Sequence, residues 1–352
     1  MIREVAAAMS GSDLLRLCLL VAVLALAALF VFLTVPRLMP FFQRYALSRP
    51  NARSSHRVPT PQGGGVPVVL ALLIAVTGLL IADLLPVARE LEQYYLLSMA
   101  SVFAIALLGA ADDMRPMPPL GRLLLQLVLT GLIVFGAPEE WRLVPALPVD
   151  IERAIVTVGG VWFVNLTNFM DGIDGIVVAE FVPMGAIVAL LSALGVLSMP
   201  AGVAGAALAG GLLGFRPFNR HPARLFLGDV GSLPIGLAAA TILFELAARG
   251  EIAAAVLLPM YFLFDATETL VLGLLRRQNV TAPHRRHAYQ NAVDAGIPAP
   301  SVTERIFGLN LLLCVLALAS IVAETLVADI LLVLIGLNAT ILVSRRFRAS
   351  RP

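Results

Sequence analysis

The sequence predicts an all-α polytopic membrane protein, and three observations carry that expectation. Of 352 residues, 59% are hydrophobic and only 14% charged, where soluble domains are about one quarter charged. The mean hydropathy is +0.91. Apolar runs repeat along the chain with short polar gaps, most near the roughly 17–25 residues that cross a ~30 Å hydrocarbon core. The chain reads as one integral-membrane domain over residues 1–352, built from about eleven transmembrane helices (about 10 at the least).

The candidate spans, in order, are 14–35, 66–85, 95–111, 122–137, 152–169, 176–197, 200–215, 232–248, 252–275, 306–324 and 328–344. The fifth and seventh are short enough to tilt or re-enter. The first contains Ala25-Leu26-Ala27, which looks like a signal-peptidase site, but apolar residues continue well past it and a retained anchor is expected. Cys18 and Cys314 both fall in apolar segments and read as small lipid- or core-facing residues, not a disulfide or a metal pair.

Orientation follows from the arginines, which supply all 25 basic residues. If the loop 36–65 is cytoplasmic, the opposite side keeps only Arg3, Arg16, Arg89, Arg142, Arg153 and Arg249, and it collects Glu90, Glu92, Glu139, Glu140, Asp150 and Glu152. The positive-inside bias then places the N-terminus in the periplasm and the C-terminus in the cytoplasm. It also puts the polar clusters 53–65, 112–122, 165–175, 216–232 and 276–304 on one cytoplasmic face. Transporters place their sites near the midplane on paired, broken repeats. A membrane enzyme drawing a soluble substrate from the cytosol fits this arrangement better.

The first cytoplasmic loop ends in Ser55-His56-Arg57-Val58-Pro59-Thr60-Pro61-Gln62-Gly63-Gly64-Gly65. A glycine triplet before a helix exposes backbone N–H groups, and a helix start favours anions; a flexible turn explains the same residues. Asp112-Asp113 closes the third span. Paired carboxylates suit a magnesium–phosphate complex or a general base, and a solvated helix end is the plain alternative. The DDxxD pattern of prenyl-diphosphate enzymes needs an acid where Pro116 stands, so that class is excluded. Arg122, opening the fourth span, is placed to reach the same site.

The stretch Asn165-Leu166-Thr167-Asn168-Phe169-Met170-Asp171-Gly172-Ile173-Asp174-Gly175 is the most polar sequence beside an apolar span. A charge at membrane depth costs roughly 2.5–3.5 kcal/mol on insertion scales. Asp171 and Asp174 therefore call for a metal ion, a cationic group or water at the membrane surface. Asn168, Asp171 and Asp174 recur every third residue and share a broad face if they lie on a helix. Oxygen-only ligands suit Mg²⁺, with Mn²⁺ as the variant. A polar interhelix loop is the alternative.

Phe218 to Ser232 follows, with Asn219, Phe226 and, between glycines at the start of the eighth span, Asp229. A ligand carboxylate there meets helix-start amides able to hold phosphate, and Phe226 either stacks on a base or is buried in the loop. Within the ninth span, Asp265 and Glu268 also need partners, either to orient the site or to brace helices. The last large loop holds Pro283-His284-Arg285-Arg286-His287-Ala288-Tyr289-Gln290. Two arginines between two histidines make an anion clamp, since guanidinium binds phosphate bidentately; a topogenic basic cluster is the lesser alternative.

Taken together, these blocks resemble the polyprenyl-phosphate N-acetylhexosamine-1-phosphate transferases, the glycosyltransferase 4 superfamily. The matching elements are H-R-x-P-T-P-x-G-G at 56–64, Asp112-Asp113, N-x-x-N-x-x-D-G-x-D-G at 165–175, F-N-x-x-P-A-R-x-F-x-G-D-x-G-S at 218–232 and the His/Arg cluster at 284–287. The resemblance implies a Mg²⁺-dependent enzyme of the inner membrane. It would join a UDP-N-acetylhexosamine and a polyprenyl phosphate into polyprenyl-diphospho-sugar, releasing UMP. It implies catalytic roles for Asp112, Asp113, Asp171 and Asp174, and metal ligation by Asp229 and Asn168. Substrate contacts fall to His56, Arg122, Asn165, Asn219, Phe226, His284, Arg285, Arg286 and His287. Membrane lipid and a second copy of the chain are implied partners, and no nucleic acid is expected.

The muramoyl-pentapeptide members carry three consecutive histidines where this chain has His-Arg-Arg-His. That difference points away from the peptidoglycan step and towards initiation of O-antigen, capsule or related polysaccharides. A CDP-alcohol phosphotransferase needs D-G-x-x-A-R, which Asp174-Gly175 replaces here. Prenyltransferases with aromatic acceptors space their acids by four, not three. A transporter or flippase for lipid-linked sugars is the alternative from another class, and it predicts no UMP release.

Overall fold

The structure, a computed structural model, describes residues 11–48, 59–85, 87–277 and 286–349. Among them the helices are α1 Gly11–Tyr45, α2 Gly65–Ile81, α3 Arg89–Met114, α4 Pro119–Phe135, α5 Val149–Met170, α6 Ile176–Ala193, α7 Met199–Asn219, α8 Asp229–Ala248, α9 Ile252–Leu257, α10 Met260–Leu275, α11 Ala288–Asp294, α12 Ala299–Ala323 and α13 Leu326–Ala349. A short antiparallel pair, β1 Leu47–Ser48 with β2 Thr60–Pro61, closes the first polar loop, with Leu47 opposite Pro61 and Ser48 opposite Thr60.

Every apolar run falls on helix, as hydrocarbon requires when backbone groups have no water to pair with. Among the described residues, seven helices are long and apolar enough to cross a membrane (α1, α3, α6, α7, α8, α12 and α13), while α2 and α4 are apolar but shorter. The protein is thus a multi-pass membrane protein. One expected span is not continuous: 252–275 divides into α9 and α10 around Pro259, where a missing N–H and a bulky ring interrupt the helical ladder.

The centre of the bundle is α7, a Gly/Ala-rich helix packed by α1, α2 and α6. Small residues let backbones come close, which drives helix association where lipid offers no hydrophobic contrast. A Cβ on Gly210 would stand 2.1 Å from the Leu24 carbonyl oxygen, and one on Gly214 would stand 2.2 Å from that of Ala28. Helix α8 is almost wholly buried between α3 and α5. Outward-facing Leu26, Leu29, Leu334 and Ile335 form part of the apolar exterior.

The C-terminal end of α8 is clamped by polar groups. The buried Glu245 carboxylate accepts from the Tyr95 hydroxyl at 2.5 Å, from Ser198 N–H at 2.8 Å and from Ser198 Oγ at 2.9 Å, and it pairs with Arg249 at 2.9 Å. Asp229, at the other end of this 20-residue helix, lies about 24 Å from Glu245 at 1.5 Å per residue.

Candidate active site

At that far end, five polar segments from separate parts of the chain meet. Asp113, in the last turn of α3, accepts the backbone N–H groups of Asp229 and Val230, each at 3.0 Å. The first turn of a helix has N–H groups without intrahelical partners, and Asp113 satisfies two of them. Gly228 makes the approach possible: its φ is +80°, and a Cβ there would stand 2.6 Å from Asp113 Oδ2. The neighbouring Asp112 accepts from Met117 N–H at 2.6 Å and is ion-paired with Arg122. Arg122 also reaches Asp229 Oδ2 at 3.4 Å, so one guanidinium spans two carboxylates. Asn168 Nδ2 donates to Asp229 Oδ1 at 2.7 Å and to Ser232 Oγ at 2.9 Å.

Two expectations are corrected here. The amides at the start of α8 do not face a phosphate, because Asp113 occupies those of Asp229 and Val230. Nor are the N–H groups of Gly64 and Gly65 free for a ligand: Gly64 N–H donates to the Phe226 carbonyl at 2.9 Å and Gly65 N–H to that of Leu227 at 2.8 Å. The glycines serve close packing instead, since a Cβ on Gly65 would lie 2.2 Å from Gly231 Cα. Together with Phe226 N–H donating to Pro61 at 2.9 Å, these bonds lash the first polar loop to the 218–232 loop. Gln62 Nε2 adds a bond to the Asp113 carbonyl at 3.0 Å.

The shared helical face for Asn168, Asp171 and Asp174 is also not what forms. Helix α5 ends at Met170, Asp171 leaves it with ψ 57°, and the following turn closes on Gly175 at φ +78°. Asp171 remains beside the cluster. Burial, then the charges of Asp229, Asp113 and Asp174, push its carboxyl up to about 8. The Asp174 carboxylate turns to the 218–232 loop, where Oδ2 lies 2.8 Å from His221 Nδ1 and accepts Ala223 N–H at 3.1 Å. Its backbone carbonyl accepts from Thr303 Oγ1 at 3.0 Å. Asn219 ties the same two segments, accepting Gly175 N–H at 2.8 Å and donating to the Leu225 carbonyl at 3.1 Å. A cavity of about 210 Å³ opens beside Ile173, Asp174, His221, Ile297 and Pro298.

The other expected substrate residues are distributed unevenly. Asn165 faces α4, donating to Gln126 Oε1 at 2.6 Å and to the Val161 carbonyl at 2.8 Å. Phe226 is half-buried on a backbone held from both sides. His287 is buried and stacks on Tyr289 with ring centroids 5.7 Å apart. Half-buried Arg286 precedes it. Tyr289 brings the last loop onto the central stretch, donating to the Phe169 carbonyl at 3.1 Å. His56, His284 and Arg285 lie outside the described residues.

Sequence reasoning missed His221, Ser232, Gln62 and Tyr289 as parts of this assembly. Each is a polar or aromatic residue whose partner lies more than 45 residues away in the sequence. Charge offers the one usable signal, because a loop histidine is a natural partner for an aspartate such as Asp174.

The donor set of the cluster is all oxygen, Asp112, Asp171 and Asp229, and Arg122 is the described counter-charge of Asp112 and Asp229. Among the described residues no three His, Cys, Asp or Glu side chains stand together closely enough to enclose an ion by themselves. Such a set fits a hard divalent cation that completes its shell with substrate phosphate and water.

The glycosyl transferase family 4 model matches residues 95–247, which hold Asp112, Asp113, Arg122, Asn168, Asp171 and Asp229. A phospho-N-acetylmuramoyl-pentapeptide-transferase of Symbiobacterium thermophilum is 34% identical over 218 residues, covering 54% of this chain and 62% of that protein, under two thirds of its length. The same-named protein of a Thermoanaerobacter species is 31% identical over 236 residues, covering 62% of this chain and 71% of its own. A probable undecaprenyl-phosphate N-acetylglucosaminyl 1-phosphate transferase of Bacillus subtilis is 25% identical over 291 residues, covering 78% of both chains.

Proposed function

Because the chain belongs to glycosyl transferase family 4, we propose that it moves an N-acetylhexosamine 1-phosphate from a UDP-sugar to a polyprenyl phosphate at the cytoplasmic face of the inner membrane. A phosphate oxygen of the lipid attacks the β-phosphorus of the donor. The bond from that phosphorus to the bridging oxygen breaks, and UMP leaves with the oxygen. The observation that carries the proposal is the convergence of Asp112, Asp171, Asp229 and Arg122 at one end of an apolar helix bundle.

Phosphoryl transfer is catalysed mainly by positioning and by charge neutralisation. Mg²⁺ bound with the donor diphosphate would be held by Asp229, aided by Asp171, and would neutralise charge on the phosphate oxygens. Asn168 and Ser232 hold the Asp229 side chain, and Asp113 holds its backbone. Asp112 fixes Arg122, whose guanidinium is suited to phosphate. A phosphate monoester has a second pKa of about 6 and is largely dianionic at neutral pH. Asp112 is therefore assigned to orienting Arg122 instead of removing a proton.

The donor sugar has two readings. The His-Arg-Arg-His sequence at 284–287 favours an N-acetylhexosamine donor for O-antigen, capsule or related polysaccharides. The names of the Symbiobacterium and Thermoanaerobacter relatives favour the muramoyl-pentapeptide donor. The experiment follows a β-³²P label from each UDP-sugar into organic-soluble lipid, with Asp229→Asn as the control. Label entering lipid from one donor, and lost in the variant, supports the reading. Lipid-linked sugar crossing vesicles with no label transfer supports the flippase alternative.

A further inference from the structure

Asp265 is fully buried in α10, and the carboxylate cluster does not use it. Both of its oxygens accept the N–H of Ala288, at 2.9 and 3.1 Å, so it caps the short helix α11 from outside. Oδ1 lies 3.8 Å from His287 Nδ1. Tyr261 and Thr269 hydroxyls donate to it at 3.3 and 3.4 Å. Arg348, near the end of α13, contacts Asp265 at 3.5 Å and pairs more closely with Glu268, at 2.8 Å.

From the other side of the cap, the chain of contacts runs into the site. His287 stacks on Tyr289, and the Tyr289 hydroxyl donates to the Phe169 carbonyl at 3.1 Å. Gly172 leaves space for that hydroxyl: a Cβ there would stand 2.1 Å from it. The turn so gripped carries Asp171.

We propose that Asp265 is a positioning residue of the active site. With Arg348 setting its charge environment, it seats His287 and Tyr289 against the Phe169–Gly172 backbone and so fixes both residues 286–294 and Asp171 relative to the donor. The donor contact rests on the proposed transferase reading; the mechanical link does not. A misplacement near 1 Å is enough to cost about 100-fold in rate.

The test uses the full-length protein in detergent, with Asp265→Asn, Arg348→Gln and Arg348→Lys. Amide exchange of peptides covering 169–175 and 288–294 is measured beside thermal stability. The expected result is faster exchange in both segments with peptides of α8 unchanged, and recovery in Arg348→Lys relative to Arg348→Gln. In turnover with UDP-GlcNAc, or with whichever UDP-sugar the wild type uses, the donor KM rises about 10-fold or more while the acceptor KM holds. Faster exchange in 288–294 alone, uniform loosening of the whole chain, or unchanged donor kinetics in an active variant would each overturn the proposal. If Asp265→Asn does not fold, Arg348→Gln carries the same measurements. A wild type inactive with every UDP-sugar removes the transferase reading, and the exchange data still decide the mechanical link.

Discussion

Asp113 caps the helix that begins with Asp229, accepting the N–H groups of residues 229 and 230 across 116 positions of sequence. The paired Asp112-Asp113 therefore does two jobs: one carboxylate grips a helix start and the other holds Arg122. Removing the cap should both destabilise and misplace Asp229. Asp113→Ala is expected to lose about 1–2 kcal/mol of stability, the cost of a lost helix cap, together with most activity. Thermal unfolding in detergent with parallel turnover checks this. Full stability would show that the amides find other partners.

Asp229→Asn separates charge from shape. The amide keeps the volume and one acceptor for Asn168, so insertion and folding should be normal. Turnover is expected to fall by at least about 100–1000-fold, the size of losing one group aimed at developing charge. Near-normal turnover with Mg²⁺ would remove Asp229 from the metal assignment.

Gly172 has no room for a side chain beneath Tyr289. Gly172→Ala should push the last loop off the Phe169–Gly172 turn and depress activity. Adding Tyr289→Phe removes the clashing oxygen and is expected to recover part of the loss. A double variant no better than Gly172→Ala would mean that the tyrosine ring, not its hydroxyl, sets the spacing.

The raised carboxyl of Asp171 gives a pH dependence of definite sign. Its ordinary value is 3.8 and its folded value about 8, so the folded state favours the neutral acid. That contribution to stability is complete below about pH 4 and is lost as pH rises through about 8. In EDTA, Tm should fall across that window, and Asp171→Asn should flatten the fall. Since a cation binds the ionised form, stabilisation by Mg²⁺ should grow over the same interval. A Mg²⁺ effect independent of pH would take Asp171 out of the cation's surroundings.

Much of this was legible because the chain is so apolar. Polar residues at Asp112, Arg122, Asn168, Asp171 and Asp229 had to find partners, and they find one another. Helices were legible from apolar length alone, although the break at Pro259 was hidden in a run that reads as continuous. The particular partners were not legible. Whether the amides of Gly64 and Gly65 face a ligand or the carbonyls of Phe226 and Leu227 depends on how two distant loops pack. The turn after Met170 likewise overrides a three-residue spacing that looks helical: Asp171 leaves the helix and Gly175, at φ +78°, closes the turn. Asn165, in the same motif, turns to Gln126 on a neighbouring helix, a contact that spacing does not encode.

The most direct measurement is UMP release by the purified protein with polyprenyl phosphate and Mg²⁺, against a panel of UDP-N-acetylhexosamines and UDP-muramoyl-pentapeptide, with and without EDTA. UMP formed from one donor, dependent on the lipid phosphate and abolished by EDTA, is the predicted result. No UMP from any donor, in protein shown to be folded, would contradict the transferase assignment.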